Sequence, residues 1–235
     1  MIATGRFHEL HVLRRTQVGA FLGNAQGDEV LLPWAHCPAD LDRHEVLRVF
    51  VYRDSQDRQV ATTQEPLITL HGFACLRVKE IASIGAFLDW GLDKDLLVPF
   101  REQPKPMRAG QQWVVYLDLD KRSDRLFASA KIDHRLRPAP PELEGTEQVD
   151  VLVYEARELG WSVIVNDRYK GLIYANETFK PVRVGEVLTG YVRAVREDGK
   201  LDISLEPLGY DRSIDEHVRV LTERLQANDG TLPFT

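Results

Sequence analysis

The 235 residues include only two cysteines and two methionines, and no apolar run approaches the roughly 20 residues a membrane span needs. Cys37 and Cys75 stand far apart and form no metal-ligand spacing. A disulfide framework and a zinc finger are therefore excluded, and a reduced cytoplasmic chain is the simplest account. The opening Met1-Ile2-Ala3-Thr4-Gly5-Arg6-Phe7-His8 lacks the apolar core of a secretion signal. There is no glycine-rich phosphate loop and no nucleophile elbow. The adjacent His36-Cys37 pair lies on a connector with nothing to orient the histidine. His8 and His11 lack further ligands, and Asp118 and Asp120 stand before a turn, where aspartate serves the backbone. No enzyme, cofactor or metal is expected. The formal net charge of −6 counts against strong non-specific nucleic-acid binding, which runs largely on phosphate neutralisation.

What is present is a repeat. Gly19-Ala20-Phe21-Leu22 followed by Leu31-Leu32-Pro33-Trp34 recurs as Gly85-Ala86-Phe87-Leu88 followed by Leu96-Leu97-Val98-Pro99. The offset is 66 residues at the start of the unit and 65 at its end. A weaker third copy is Gly160-Trp161-Ser162-Val163 followed by Gly171-Leu172-Ile173-Tyr174. Recurrence at one register decides the architecture before any single motif does.

Each copy sits among five short strand patterns. In the first they are Phe7 to Arg14, Gly19 to Leu22, Glu29 to Leu32, Val46 to Tyr52 and Gln59 to Thr63, with a proline-containing connector after the third. The second copy runs Gly72 to Ile81, Gly85 to Leu88, Leu96 to Val98, Gln112 to Leu119 and Arg125 to Ala130. The third has alternating Val149, Val151 and Val153, then Gly160 to Val165, Tyr169 to Tyr174, Val187 to Val195 and Lys200 to Ser204. Five strands in some 55 residues, with a long link between the third and fourth, predict a small barrel. The reading is all-β: three tandem five-stranded barrels over 1–66, 67–133 and 148–209, with a proline-rich linker at 134–147. Ser213-Ile214-Asp215-Glu216 is a capping box, and Ile214, Val218, Leu221 and Leu225 share one helical face. A short helix is expected within 210–235, free to dock a protein partner.

The Gly-Ala-Phe-hydrophobic signature, the Leu-Leu strand, the valine-rich strand, the acidic turn and the short last strand together resemble the RNA-binding repeat of ribosomal protein S1. Three in tandem, ending in Leu205-Glu206-Pro207-Leu208-Gly209-Tyr210, resemble the bacterial conserved virulence factor B family. That resemblance implies OB barrels, a cytoplasmic location, RNA binding in post-transcriptional control and a winged helix beyond the third barrel, near where Leu232-Pro233-Phe234-Thr235 ends the sequence. Two departures stand out. Val18 and Ile84 replace the aromatic expected before Gly-Ala-Phe, and Pro33, Val98 and Tyr174 stand where the family carries histidine.

OB barrels hold single-stranded nucleic acid on one sheet face, with aromatics stacking bases and cations meeting phosphates. The candidate RNA-binding residues are Phe21, Trp34, Phe87, Phe100, Arg101, Lys131, Tyr169, Lys170 and Tyr174. The plain alternative for each aromatic is packing within its barrel, with Trp34 and Phe100 covered by the connector; for each cation it is a solvated surface charge. Segment charge separates the copies. Residues 14–65 and 149–207 each carry −2, whereas 74–132 carry +2. The middle repeat is the one that favours polyanions. The prediction is weak, salt-dependent binding of single-stranded RNA shared among barrels. The rival is a protein-interaction scaffold of degenerate barrels with little RNA affinity.

Overall fold

The computed structural model describes residues 1–38, 41, 46–145, 148–178 and 181–207. The expected C-terminal helix lies outside the described residues. Contacts divide the chain into two units, Met1–Arg135 and Leu136–Thr235.

The first repeat forms β1 (Arg6–Arg15), β2 (Gly19–Gly23), β3 (Glu29–Pro33), β4 (Val46–Arg53) and β5 (Gln59–Thr62). The second forms β6 (Phe73–Ala82), β7 (Gly85–Asp89), β8 (Leu96–Pro99), β9 (Gln112–Asp120) and β10 (Arg125–Ser129). The third forms β11 (Val149–Arg157), β12 (Gly160–Val165), β13 (Tyr169–Tyr174), β14 (Val187–Val195) and β15 (Leu201–Ser204). The first and third sheets are closed barrels with strand order β1-β2-β3-β5-β4 and its equivalent. The middle sheet keeps the order β10-β9-β6-β7-β8 but has no ladder between β8 and β10. These two strands nevertheless lie side by side.

The three copies share their irregularities. The first strand of each carries a bulge, at Val12/Arg14, Val78/Glu80 and Val153/Glu155. The signature glycine has a steric cause. A Cβ on Gly19, Gly85 or Gly160 would stand 2.2, 2.2 or 2.0 Å from the carbonyl oxygen of Leu32, Val98 or Ile173 on the neighbouring strand. No side chain fits such an approach.

Within Met1–Arg135 the first two repeats are fused through one core. The first barrel's interior is aliphatic, with Leu10, Val12, Leu22, Leu32, Val49 and Val51 all buried. On its outer face Phe50, Tyr52 and Val60 are also buried, and they belong to the middle repeat's core with Leu76, Leu88, Trp90 and Leu117. Trp90 meets Phe50 edge-on at 5.8 Å between centroids and Tyr52 at 6.3 Å. Burying one such aromatic stabilises by about 2–3 kcal/mol, whereas an exposed ion pair contributes about 0–1. The aromatics therefore hold the seam. Ion pairs ring it: Arg53 reaches Asp124 at 2.9 Å, and Arg125 grips Asp57 through two contacts of 2.8 and 2.9 Å.

In the second unit, the proline-rich stretch is docked on the third barrel. The amide of Arg137 donates to the Arg168 carbonyl at 2.9 Å, that of Ala139 to the Gly199 carbonyl at 2.8 Å, and Ala139 is buried in the barrel's core. Proline needs no ladder partner, so such a chain packs as a strap.

Candidate nucleic-acid interface

Strand alternation presents one residue in two to the outer face. On β7, Ala86 and Leu88 are fully buried in the core, and Phe87 between them is half-buried on the outside. On β8, Leu97 projects outward between buried Leu96 and Val98. On β10, Phe127 projects outward between Leu126 and buried Ala128. These three outer side chains line a groove of about 440 Å³ over the β8–β10 gap. Exposed Ile84, Pro99 and Arg101 extend its wall on the middle repeat, and Tyr52, Arg53, Ser55 and Asp57 of the first barrel supply the opposite one. The groove is thus composite.

Its charges differ in how firmly they are held. Arg125 is spent on Asp57, and the carboxyl of Asp57 is held below its usual range by that hydrogen-bonded pairing. Asp120 is likewise held low, first by the Arg122 amide and then by the Ser123 hydroxyl. Arg101 has 75% of its side chain exposed, pairs with Glu102 at 3.6 Å and acts on Asp120 through space. Lys94 donates to the carbonyls of Arg53 and Asp54 at 3.1 and 2.8 Å, and burial pushes its pKa down. Tyr52 is pushed up to about 12, mainly by burial and then by Asp93 and Asp54.

The structure brings Phe87 and Arg101 together in this groove and sets Phe100, 53% exposed, on the turn joining Pro99 to Arg101. Trp34 occupies the corresponding turn of the first barrel, 41% exposed, its indole donating to the Thr16 carbonyl at 3.0 Å. Both rings are exposed rather than buried. A short 3₁₀ turn follows each β3-type strand at a proline and lifts its first side chain outward. Lys131 is exposed beside the turn at Ile132–His134, outside the groove lining.

Phe21 is Phe87's counterpart, also half-buried on the outer face, but Arg14 lies over its ring at 4.2 Å and is clamped by Glu29 at 2.6 Å. In the third barrel the aromatic has moved one place. Register pairs Ser162 with Leu172 as it pairs Phe87 with Leu97, so buried Ser162 takes the outer position and Trp161 packs against the core. Tyr169 also packs against that core, beside half-buried Lys170. The Tyr174 hydroxyl accepts from Arg196, which is paired to Asp202 at 2.7 Å. Phe21, Tyr169 and Tyr174 are engaged with their own barrel.

Sequence reasoning missed Phe127, Tyr52 and Lys94. The signal for Phe127 was its register: the equivalent outer positions are Val60 in the first repeat and Asp202 in the third. No helix among the described residues is long and apolar enough to cross a membrane.

Residues 4–64 match the profile of the S1 domain, and residues 135–207 match that of the second domain of virulence regulatory factor CvfB. The chain is 27% identical over 243 residues to the uncharacterized protein YitL of Bacillus subtilis, an alignment covering 96% of this chain and 78% of the relative. It is 27% identical over 202 residues to conserved virulence factor B of Staphylococcus epidermidis, covering 83% and 67%. Among solved structures, a multidomain protein with nucleic acid binding domains from Streptococcus pneumoniae aligns over 99% of this chain and 84% of its own length. Its sequence identity is 24% and its TM-score 0.49.

Proposed function

We propose that this chain, whose residues 4–64 match the S1 domain and whose residues 135–207 match the second domain of virulence regulatory factor CvfB, binds single-stranded RNA without catalysing a reaction. The work would be post-transcriptional control in the cytoplasm. The groove of the middle repeat is the primary site, and the first and third barrels support it. The observation that carries this is the convergence of outward Phe87 and Phe127 with exposed Arg101 in one cleft of about 440 Å³. Among the described residues no cation lies over either ring as Arg14 lies over Phe21, and the two half-buried rings offer stacking surface, worth roughly 1–3 kcal/mol per base whatever the base. Arg101 supplies a cation for the backbone, and the local +2 of residues 74–132 answers the acidic total. The predicted sharing of RNA among barrels gives way here to one main site. Arg14 with Glu29 caps Phe21, and Ser162 with Asp202 leaves the third face without an outward ring.

Fluorescence anisotropy of the full chain with labelled single-stranded RNA, across a salt series, tests the reading. Binding that weakens as salt rises and falls further in Phe87→Ala is expected. Absence of binding, or equal binding by the variant, overturns it in favour of the protein scaffold.

A further inference from the structure

The carboxylates around Lys94 are already engaged: Asp95 is paired with Lys79 at 2.8 Å, and Asp120 is held by the Arg122 amide and the Ser123 hydroxyl. Asp54 is paired with Arg58 at 2.7 Å, Asp57 with Arg125 at 2.8 Å and Asp124 with Arg53 at 2.9 Å. Lys94 is left over. Among the described residues no carboxylate oxygen lies within 4 Å of its ammonium, which instead donates to two neutral main-chain carbonyls, those of Arg53 and Asp54. An ammonium has three donors, and this half-buried one, with two neutral partners in contact and the pull of Asp57 and Asp54 opposed by Arg125 and Arg53, retains a spare N–H and no carboxylate of its own. Lys94 is also fixed in place. The Trp90 indole donates to its carbonyl oxygen, and Trp90 is wedged against Phe50 and Tyr52 across the seam. The side chain opens into the same cleft as Phe87 and Arg101.

We propose that Lys94 is the phosphate anchor of this groove, holding a backbone phosphodiester of the strand whose bases lie on Phe87 and Phe127. This rests on the RNA-binding reading above and adds a second, deeper cation to Arg101. It also makes the site depend on the fusion of two repeats, because the carbonyls that orient Lys94 belong to the β4–β5 turn of the first barrel while its loop belongs to the second. A phosphate brought to Lys94 adds a negative partner in direct contact, and it favours the ammonium form that burial opposes.

The test is the salt dependence of binding to a labelled oligouridylate of about a dozen nucleotides, within the range one OB fold engages. Each phosphate contact on a single strand contributes about 0.7 to the slope of log affinity against log salt. Lys94→Gln keeps a donor for the carbonyls and removes the charge; the slope is expected to become shallower by about 0.7. Lys94→Arg should restore the slope, and Lys121→Gln, exposed and outside the groove lining, should leave it unchanged. A second measurement avoids variants. Acetylation of the wild-type chain by an amine-reactive ester, read by mass spectrometry, should show RNA protecting Lys94 but not Lys121. If RNA binds but the slope of Lys94→Gln matches wild type, or Lys94 is labelled equally with and without RNA, the anchor is overturned and the RNA-binding reading stands. If the wild-type chain binds no RNA, both fall.

Discussion

The middle and third repeats share strand order, register, first-strand bulge and signature glycine, yet their outer faces differ at two of three aligned positions. The middle one shows Phe87, Leu97 and Phe127; the third shows Ser162, Leu172 and Asp202. Both barrel interiors are largely branched aliphatic, and the middle core adds Trp90, Met107 and the first barrel's Phe50 and Tyr52. The fold is therefore set by inward residues and strand approach, while the two outer faces differ by two substitutions and, for the middle repeat, by a neighbour. The neighbour matters as much. The middle sheet leaves β8 and β10 unpaired and borrows a wall from the first barrel, whereas the third barrel closes on itself through Gly171–Leu201, Leu172–Asp202 and Ile173–Ile203.

The strongest way to break this contrast is to remove the seam. Trp90→Ala deletes a 2%-exposed ring from the shared core and should cost about 3–5 kcal/mol. Hydrogen exchange should then rise across β6–β10 and leave β11–β15 unchanged; equal loss in both regions would contradict the assignment of Trp90 to the seam. Next comes the face itself. Phe87→Ala and Phe127→Ala should each weaken RNA binding by about 1–3 kcal/mol, roughly 5- to 150-fold. Phe127→Asp, which writes the third repeat's residue into the middle one, should weaken it at least as much, while Ser162→Ala leaves it unaltered. Arg101→Ala should produce a smaller change, a salt slope shallower by about 0.7 with no loss of thermal stability, since its side chain is 75% exposed.

The smallest effect is one of pH. Tyr52 is pushed up to about 12, so between its ordinary pKa near 10 and about 12 the folded state holds a proton that the unfolded chain has released. Stability from this group is complete below pH 10 and is lost as pH rises toward 12. The seam should loosen in that window, and Tyr52→Phe should remove the effect. Tyrosinate absorbance in a pH titration against that variant measures it.

The strands were legible in the sequence almost residue by residue, because each is short, apolar inward and ended by a turn signal. Gly160–Val165, Tyr169–Tyr174 and Val187–Val195 coincide with their patterns at both ends. The seam was legible only in retrospect. Val49-Phe50-Val51-Tyr52 breaks the alternation of a half-buried strand, and a strand apolar on both faces is covered on both. What covers it is Trp90, 38 residues beyond Tyr52 in a loop, a pairing that no local pattern specifies. Phe87 and Arg101 were candidates from the sequence because one sits in the signature and the other beside it. Phe127 needed the repeats aligned to their last strand, and Lys94 needed the neighbouring barrel's carbonyls in place. Trp34 and Phe100 showed the converse error, since proximity to proline suggested cover where the turn gives exposure.

The most direct test of the composite groove is amide hydrogen exchange of the full chain with and without saturating single-stranded RNA. Protection concentrated in Gly85–Asp89, Leu96–Pro99 and Arg125–Ser129, with little change in Gly160–Val165 and Tyr169–Tyr174, is the predicted result. Protection confined to the third barrel, or none anywhere, would contradict it.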